Sequence, residues 1–404
     1  MENKLRILFI ALPNSIHTAR WISQINTLGW DIHLFPSESY PIHSDLKNLT
    51  VHDVFFIKQK NKVISVKFKG IILKSPKILR VLRGILLKFS PNFRDKKLVK
   101  LIKNLKPDIV HSLGIQHGGY PVLEAKKDLG LDFPPWIVSS WGSDLYLFGR
   151  LNEHKQKVKE ILSLCDYFTC DCRRDITLSM NYGFSGTAFS PLPGGGGFDL
   201  NACQKMIKSK PSKRRKILLK GYQGWSGRAL VGLHALRRCG NLLRGFEIII
   251  FSASSDVRIA AELFSSETGI HVSILPDGTQ HSEILRQHCE SRIYLGLGIS
   301  DGLPNSMLES IVMGSFPIQS STSCCDEWIT DGENGFIVPP EDVDIVENAL
   351  RKVLIDDKLV DKAAEINYEV AKERLNYNFL RKQAIEMYKK ISKRLNSNNM
   401  NHNL

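Results

Sequence analysis

Short apolar segments alternate with amphipathic segments along most of the chain, and this alternation restricts the possible folds more than any other feature. The apolar segments are too short for buried helices, and stretches with helical spacing separate most of them. Strands are predicted at 6–11, 31–35, 51–57, 108–112, 136–140, 167–170, 216–219, 246–251, 271–275, 293–297, 316–319 and 335–338. Strand, helix and strand in repetition indicate an α/β protein with parallel sheets and helices on both faces. A single sheet of about twelve strands would be unusual, so we expect two sheets.

A proline followed by four glycines marks the break between the two predicted sheets. It begins at Pro193, and a polar, basic stretch follows at 209–216. We therefore predict two Rossmann-like domains, at 1–195 and 196–375, with a helix and disordered tail at 376–404. Ligands of open parallel sheets bind beyond the carboxyl ends of the strands, which places the expected active site in a cleft between the domains.

Positive charge is concentrated in one segment. The chain has 55 Lys and Arg against 41 Asp and Glu, a net charge of +14. Between Lys58 and Lys106 there are sixteen basic residues and one acidic residue, so the rest of the chain has a net charge of −1. Such a segment can serve nucleic acid, an anionic membrane or an anionic ligand, or it can be a solvated face.

Within this segment, residues 77–89 have the pattern of a basic amphipathic helix. The apolar side is formed by Ile78, Leu79, Val81, Leu82, Ile85, Leu86 and Phe89. The basic side is formed by Lys77, Arg80, Arg83 and Lys88. This pattern is typical both of a membrane-surface helix and of a core-packed helix with a solvated face. Few aromatic residues lie among the cations and no nucleic-acid motif is present, so we expect no nucleic-acid partner.

The hydropathy pattern and the cysteines indicate the cellular compartment that we expect for the protein. No segment reaches the roughly 18 uninterrupted apolar residues of a membrane-spanning helix. The eight cysteines lack zinc-ligand spacing, so we expect no metal site. Their scatter is typical of reduced thiols in a cytoplasmic protein.

The most informative stretch is 300–310, with the sequence SDGLPNSMLES. It follows a predicted strand and combines a glycine-containing loop with the start of a helix, for which Ser306 and Glu309 fit a capping box. Backbone N–H groups at a helix start suit a diphosphate. Asp301 lies before the loop and Glu309 on the first helical turn, so both acids are expected to border one pocket.

This stretch resembles the signature of retaining glycosyltransferases of the GT-B fold, glycosyltransferase family 4, in which an acid is followed eight positions later by Glu. Asp301 stands where the family has Glu, and Gly314 and Pro317 also match. The run EWITDGENGFIV at 327–338 resembles a second family pattern.

The resemblance implies roles in binding a nucleotide sugar, UDP- or GDP-linked, without a cofactor or metal. It assigns the acceptor side to the domain at 1–195 and nucleotide-sugar binding to the domain at 196–375. Glu309 would bind the ribose hydroxyls and Asp301 the hydroxyls of the donor sugar. Arg228 is the first candidate for binding the diphosphate, and Lys220 is the second. The loop between them departs from the family pattern. Backbone amides of the loop would meet the sugar and phosphates, and these belong to Gly302, Leu303, Pro304, Asn305 and Ser306.

Candidates in the first domain also follow predicted strands. Ser15 and His17 follow the first strand, and PDIVH at 107–111 resembles a family strand whose histidine faces the donor sugar. The choice between His111 and His117 remains open. The loop SWGSD at 140–144 resembles the family's H-G-S-D loop and makes Ser143 and Asp144 further candidates.

These resemblances together predict a retaining, hexosyltransferase-type enzyme. It would transfer a sugar to a saccharide or lipid-linked acceptor in surface polysaccharide or glycolipid biosynthesis. The segment Lys58–Lys106 would bind the anionic inner face of the membrane as a peripheral contact. A non-catalytic nucleotide-sugar-binding subunit is the alternative, kept open by Asp301 and by the altered loop between Lys220 and Arg228.

Overall fold

The computed structural model describes residues 4–57, 65–73, 75–90 and 92–401, and it confirms the α/β class. The chain divides into two compact units. The first unit is Met1–Gly196 together with Arg381–Leu404, and the second unit is Gly197–Leu380. Residues 376–404 therefore do not group as one piece, because those from Arg381 onward pack with the first unit.

The strands are numbered in chain order. They are β1 Arg6–Ala11, β2 Asp31–Pro36, β3 Leu49–Ile57, β4 Val66–Leu73, β5 Ile109–Leu113, β6 Trp136–Ser140, β7 Tyr167–Cys170, β8 Thr187–Ala188, β9 Lys216–Lys220, β10 Glu247–Phe251, β11 Val272–Ile274, β12 Ser291–Gly296, β13 Phe316–Ser320 and β14 Phe336–Val338.

The α-helices are numbered in the same way. They are α1 Ile16–Ser23, α2 Pro76–Phe89, α3 Phe93–Leu105, α4 Tyr120–Leu129, α5 Asn152–Leu164, α6 Arg173–Asn181, α7 Leu200–Met206, α8 Ala229–Cys239, α9 Ser255–Thr268, α10 His281–Glu290, α11 Asn305–Met313, α12 Val343–Ile355, α13 Asp357–Arg374 and α14 Tyr377–Asn401.

The sheet of the first unit has the order β4-β3-β2-β1-β5-β6-β7-β8, with parallel neighbours throughout. Strand β1 is buried from Ile7 to Ala11 and β5 along its whole length, as expected for central strands covered on both faces. The chain order reverses between β1 and β5, so the loops that follow these two strands flank the crevice where ligands of such sheets bind.

The sheet of the second unit has the order β11-β10-β9-β12-β13-β14, again with parallel neighbours. Its order reverses between β9 and β12. Branched and aromatic residues pack on both faces, with α8, α9 and α12 contributing to one core layer and α11 to the other. The loops after β9 and β12 contain the stretches singled out in the sequence, 220–228 and 300–310.

Two strands, β4 and β8, are absent from the sequence prediction. Strand β4 is at an edge of its sheet, where Lys67 and Lys69 are exposed and Val66 and Phe68 are half-buried. Charged residues are common on edge strands because they discourage pairing with other chains. Here the lysines break the apolar pattern, so the strand was not recognised within the basic segment. Strand β8 has only two residues, too few for a periodic pattern. The segment Lys58–Lys106 is described in part, since residues 58–64, 74 and 91 lie outside the described residues.

Candidate active site

The two loops at the switch point of the second unit are bonded to each other through their backbones. Gly227 and Gly298 form an antiparallel bridge, with the N–H of Arg228 donating to Leu297 (3.1 Å) and that of Ile299 to Ser226 (2.7 Å). A Cβ on Gly227 would collide with the carbonyl of Tyr222, so the sharp turn requires glycine at this position. The bridge fixes the loop that bears Lys220 against the loop that bears Asp301.

Lys220 and Asp301 form an ion pair at this edge of the sheet. The Lys220 Nζ lies 3.6 Å from Asp301 Oδ2 and 4.8 Å from the centre of the Tyr222 ring. Burial works against the charged ammonium, yet Asp301 and the neighbouring tyrosines hold the pKa of Lys220 above its ordinary value. The side chains of Lys220 and Asp301 remain 19% and 30% exposed, so a fixed cation and a carboxylate are both accessible to a ligand.

Glu309 is buried on the first turns of α11, between two histidines of α10. Its Oε1 accepts a hydrogen bond from His281 Nε2 at 2.7 Å, and its Oε2 lies 3.5 Å from His288 Nε2. Burial alone would raise the pKa of Glu309, but the two imidazoles hold it well below its usual range. Glu309 is therefore an ionised carboxylate that can only accept hydrogen bonds.

The predicted capping box at Ser306 and Glu309 is wrong. Helix α11 begins two residues earlier than that motif requires, at Asn305, with Pro304 as its N-cap. Ser306 thus lies inside the first turn, and its hydroxyl bonds to Tyr294 Oη at 2.7 Å. The carboxylate of Glu309 is oriented by histidines instead of returning to the helix start. The backbone N–H groups at the start of α11 keep the orientation that suits an anion.

The other loop residues of this stretch contribute mainly backbone. Gly302, Leu303 and Pro304 are buried, and Asn305 is partly exposed. The Gly302 N–H donates to Asp301 Oδ1 at 2.9 Å, and its carbonyl accepts from Cys324 at 2.9 Å. These bonds hold the loop in one conformation next to Asp301.

Arg228 is the residue before α8, and its guanidinium braces its own loop. The Nε donates to Glu341 Oε1 at 2.7 Å, and Nη1 donates to the carbonyls of Gly224 (2.9 Å) and Gly227 (2.7 Å). Arg228 therefore lies near the predicted site with its Nε and Nη1 already engaged, whereas the Lys220 ammonium is paired with Asp301.

In the first unit, His111 lies within β5 and is fully buried. Its Nδ1 bonds to Tyr388 Oη and its Nε2 to Ser139 Oγ, both at 2.7 Å, and Trp21 Nε1 donates to the same Tyr388 hydroxyl at 2.9 Å. Burial lowers the pKa of His111 to about 3. With both ring nitrogens satisfied inside the core, His111 has a structural position, and the expectation that it faces a donor sugar does not fit this geometry.

His117 is the more accessible of the two histidines. It lies in a π-helical turn, Ile115–Gly119, directly after β5, and its Nδ1 is 3.2 Å from Glu38 Oε1 with half of the side chain exposed. A Cβ on Gly118 would come within 2.5 Å of the Ile10 carbonyl, so glycine allows this turn to pack against β1. His117 and Glu38 line a cavity of about 280 Å³.

Ser15, His17 and Asp144 are near the same edge of the first unit, and Ser15 and Asp144 hydrogen-bond to nearby backbone N–H groups. The Ser15 hydroxyl caps α1 by accepting from the N–H of His17 at 3.2 Å. Asp144 Oδ2 accepts from the N–H groups of Ile115 (2.9 Å) and Trp141 (3.1 Å) and so ties two loops together. Burial raises the pKa of Asp144 to about 7.

The centroids of the His17 and Trp141 rings lie 6.1 Å apart. Trp141 occupies the position in the SWGSD loop that resembles the family's histidine. Ser143 begins the turn that follows, where its carbonyl accepts from Leu147 and Phe148, both at 3.1 Å. These residues therefore border the switch point between β1 and β5.

Among the described residues of the first unit, one group of potential metal ligands is present. Donor atoms of Asp171, Cys172 and Asp175 lie within 4.8 Å of one another. Asp175 is already paired with Arg174 (3.0 Å) and accepts from Ser140 (3.2 Å). These contacts with protein groups already engage its carboxylate.

Two protein families match the chain, one in each unit. Residues 6–171 match the family described as "Glycosyl transferase 4-like", and residues 262–370 match "Glycosyl transferases group 1". No curated protein sequence gives a significant match.

Solved structures share the fold. HepE of Anabaena, in complex with UDP-glucose, matches with a TM-score of 0.67 and 12% identity over 95% of this chain and 99% of its own. Sucrose-phosphate synthase of Thermosynechococcus elongatus matches with a TM-score of 0.68 and 12% identity over 96% and 99%. The trehalose 6-phosphate synthase of Burkholderia multivorans gives 0.69 and 12% over 97% and 99%.

The chain is a glycosyltransferase of the GT-B fold. The glycosyltransferase brings together, in its second unit, the sequence-predicted Lys220, Asp301 and Glu309 at one sheet edge. The motif at 327–338 has a structural role. The Asn334 side chain donates to the Trp328 carbonyl (3.2 Å) and to Asn367 Oδ1 (2.8 Å), and these bonds fix the turn before β14.

Sequence reasoning missed His281, His288 and Tyr388 of the glycosyltransferase. The two histidines are seven residues apart, which places them on one face of a helix, and this spacing was a usable signal. Tyr388 had no such signal, because its partners Trp21 and His111 are more than 270 residues away in sequence.

Proposed function

We propose that this enzyme is a retaining glycosyltransferase that moves a sugar from a nucleotide-sugar donor to a saccharide acceptor. The observation that carries the proposal is the grouping of Lys220, Asp301 and Glu309 around the buried Tyr294, beside the switch point of the second unit, since the charges of all three act on the Tyr294 hydroxyl. A buried ionised carboxylate suits a vicinal diol, and a held cation beside a helix start suits a diphosphate. One nucleotide sugar has both groups.

The roles follow from the charges. Glu309 accepts hydrogen bonds from the ribose hydroxyls, Lys220 neutralises the diphosphate, and Asp301 accepts from hydroxyls of the sugar. In the transfer, the bond between the anomeric carbon and the diphosphate oxygen breaks, and a bond to an acceptor hydroxyl forms on the same face. The acceptor proton passes to the leaving diphosphate. Lys220 and the start of α11 stabilise the growing negative charge, and the proposal includes no metal or cofactor.

We place the acceptor on the first unit. The cavity beside His117 and Glu38 follows β2 and β5, where ligands of parallel sheets bind, and Tyr120 and Lys157 contribute to its lining. A histidine, a carboxylate and a tyrosine hydroxyl offer donors and acceptors for a saccharide.

We further propose that the acceptor is lipid-linked, as in surface polysaccharide or glycolipid biosynthesis, and that α2 contacts the membrane. Four apolar side chains of α2 are at least half exposed and form one stripe, Ile78, Val81, Ile85 and Phe89. Lys77, Arg80 and Lys88 are exposed on the same helix. An apolar stripe beside cations is complementary to an anionic lipid surface.

The location we propose is peripheral, on the cytoplasmic face of a membrane. Among the described residues, no helix is long and apolar enough to cross a bilayer. All eight cysteines are buried and free, which is compatible with a reducing compartment.

The test is a panel of UDP, GDP and ADP and their sugars, followed by Glu309→Ala. A nucleotide at 100 times its dissociation constant stabilises the protein by about 2.7 kcal/mol, a readily measured rise in melting temperature. We expect one nucleotide class to bind, and UDP-glucose is tested first because HepE is described in complex with it. Glu309→Ala should abolish transfer while the circular dichroism spectrum is unchanged.

Transfer at the wild-type rate by Glu309→Ala would show that the site is wrongly assigned. Nucleotide-sugar binding without hydrolysis or transfer, across acceptors and in the presence of anionic vesicles, would instead favour a non-catalytic binding subunit. Such a result would be attributed first to Arg228, whose guanidinium is bound to Glu341.

A further inference from the structure

Glu309 is held from two sides by a single helix. His281 is the first residue of α10, and His288 follows seven residues later, so both side chains lie on the face that α10 presents to α11. Each imidazole approaches a different carboxylate oxygen, at 2.7 Å for His281 and 3.5 Å for His288.

The two histidines differ in their access to solvent. The His288 side chain is completely buried and contacts the rings of Tyr294 and Phe251, whereas 36% of the His281 side chain is exposed. Oε2 of Glu309 is therefore on the core side, and Oε1 is on the side from which a ligand arrives. A ligand that reaches Glu309 from solvent meets His281 as well.

We propose that His281 is a positioning residue for the donor, which holds Glu309 in the rotamer that receives the two ribose hydroxyls. This inference rests on the proposed function, because it takes the ligand of Glu309 to be a ribose. The N–H of His281 occupies one lone pair of Oε1, and a carboxylate oxygen has a second one for a hydroxyl. Without His281, Oε1 loses its partner, and the nucleotide must then order the carboxylate as it binds.

The experiment compares three substitutions at one position. His281→Ala removes the donor. His281→Gln places an amide N–H near the position of the imidazole Nε2, whereas the side chain of His281→Asn is too short to reach Glu309. Ser282→Ala, at the exposed next residue of α10, is the matched control. The dissociation constants of UDP and GDP are measured by calorimetry, together with kcat and KM for the donor.

We expect His281→Ala and His281→Asn to weaken nucleotide binding about tenfold, because the nucleotide must then order the Glu309 carboxylate as it binds. The loss should appear in donor KM, with kcat at saturating donor changed less than threefold. His281→Gln should recover most of the affinity, and Ser282→Ala should match the wild type. A 2′,3′-dideoxy nucleoside diphosphate should bind wild type and His281→Ala equally, because it lacks the hydroxyls that Glu309 receives.

Two results would overturn the inference alone: nucleotide affinity unchanged in His281→Ala, or an equal loss for the dideoxy compound. An equal loss in the Gln and Ala variants would also contradict it, because the bond to Glu309 would then be irrelevant. A wild-type protein that binds no nucleotide would overturn the proposed function and, with it, this inference.

Discussion

Each unit carries family-like residues on a strand that flanks the switch point of its parallel sheet, yet these residues have different surroundings. In the second unit, Lys220 and Asp301 pair with each other at the sheet edge and remain partly exposed. In the first unit, His111 is satisfied inside the core by Tyr388 and Ser139. The difference follows from the position on the strand. Lys220 is the last residue of β9, whereas His111 is in the middle of β5, where both faces of the sheet are covered.

The comparison teaches that a motif residue has to be assessed together with its place in the strand. A polar side chain beyond the carboxyl end of a strand can meet a ligand, but the same side chain inside a central strand must find partners in the core. In the proposed function, the second unit therefore carries the donor chemistry in its side chains. The first unit offers His117 in a turn after β5 as its accessible histidine at this point.

After the complete loss expected of Glu309→Ala, the largest expected effect is that of Lys220→Ala on transfer. Removing the cation should lower kcat about 10²–10³-fold, as is typical for a group that stabilises charge in a transition state. Arg228→Ala should lower it less than tenfold, because its guanidinium is engaged by Glu341 and two carbonyls. Initial rates at saturating donor measure both.

A variant that keeps the charge is the control for this comparison of two cations. Lys220→Arg keeps the charge and should retain more activity than Lys220→Ala. An Arg228→Ala variant that is slower than Lys220→Ala would reverse the assignment and show that Arg228 leaves Glu341 when the donor binds.

The next effect concerns α2 of the first unit. Replacing Lys77, Arg80 and Lys88 together by Gln should weaken binding to anionic vesicles by about 3 kcal/mol, at about 1 kcal/mol for each cation near the surface. Nucleotide binding in the second unit should not change. Vesicle co-sedimentation at low and physiological salt measures the first quantity, and calorimetry measures the second.

A matched triple variant sharpens this test. Lys155, Lys159 and Lys205 are exposed cations outside the basic segment, and their replacement by Gln changes the net charge equally. This control should leave vesicle binding nearly intact. Equal losses in the two triple variants would mean that only total charge matters, and undiminished binding in the α2 variant would make α2 an ordinary solvated face.

The sequence predicted the fold well where the residue pattern is local. Apolar segments such as 136–140 and 167–170 coincide with β6 and β7, because a central parallel strand must be apolar on both faces. The edge strand β4 escaped detection, because only one of its sides is paired and it tolerates Lys67 and Lys69. Contacts of α14 with the first unit, such as Tyr388 with Trp21, depend on packing between distant segments, which no local pattern encodes.

The site could be predicted as far as the loops that carry it. Asp301 and Glu309 were found because their spacing follows from a loop and a helix that are contiguous in sequence. The partners of Glu309 were not found, because His281 and His288 come from another helix and their contact depends on how α10 packs against α11. The predicted capping box was wrong for a related reason, since Tyr294 of β12 offered the Ser306 hydroxyl a partner outside the helix.

The smallest effect we predict is a loss of stability on mild acidification, centred on the first unit. Burial lowers the pKa of His52 to about 4, with His33, bonded to it at 2.8 Å, and nearby lysines adding to the shift. An unfolded histidine titrates near 6.5, so the unfolded state binds more protons and stability falls as pH decreases from about 6.5 towards 4. By pH 5 the loss from His52 is on the order of 2 kcal/mol, and the lowered pKa of His111 adds a loss in the same direction.

The second unit should respond differently over the same pH range. His288 is also buried with a lowered pKa, but Glu309 lies next to it and favours its charged form. The pKa of Glu309 is itself held below its usual range, so its contribution to stability is lost only as the pH falls below about 4.5, the ordinary carboxyl pKa.

Urea unfolding at pH 7 and pH 5, followed by tryptophan fluorescence, measures the difference, since Trp21, Trp136 and Trp141 report on the first unit. His52→Gln keeps an amide beside His33 and removes one titrating group, so it should reduce the pH dependence. An unchanged pH dependence in His52→Gln, or a second unit that unfolds first at pH 5, would contradict the contrast between the two units.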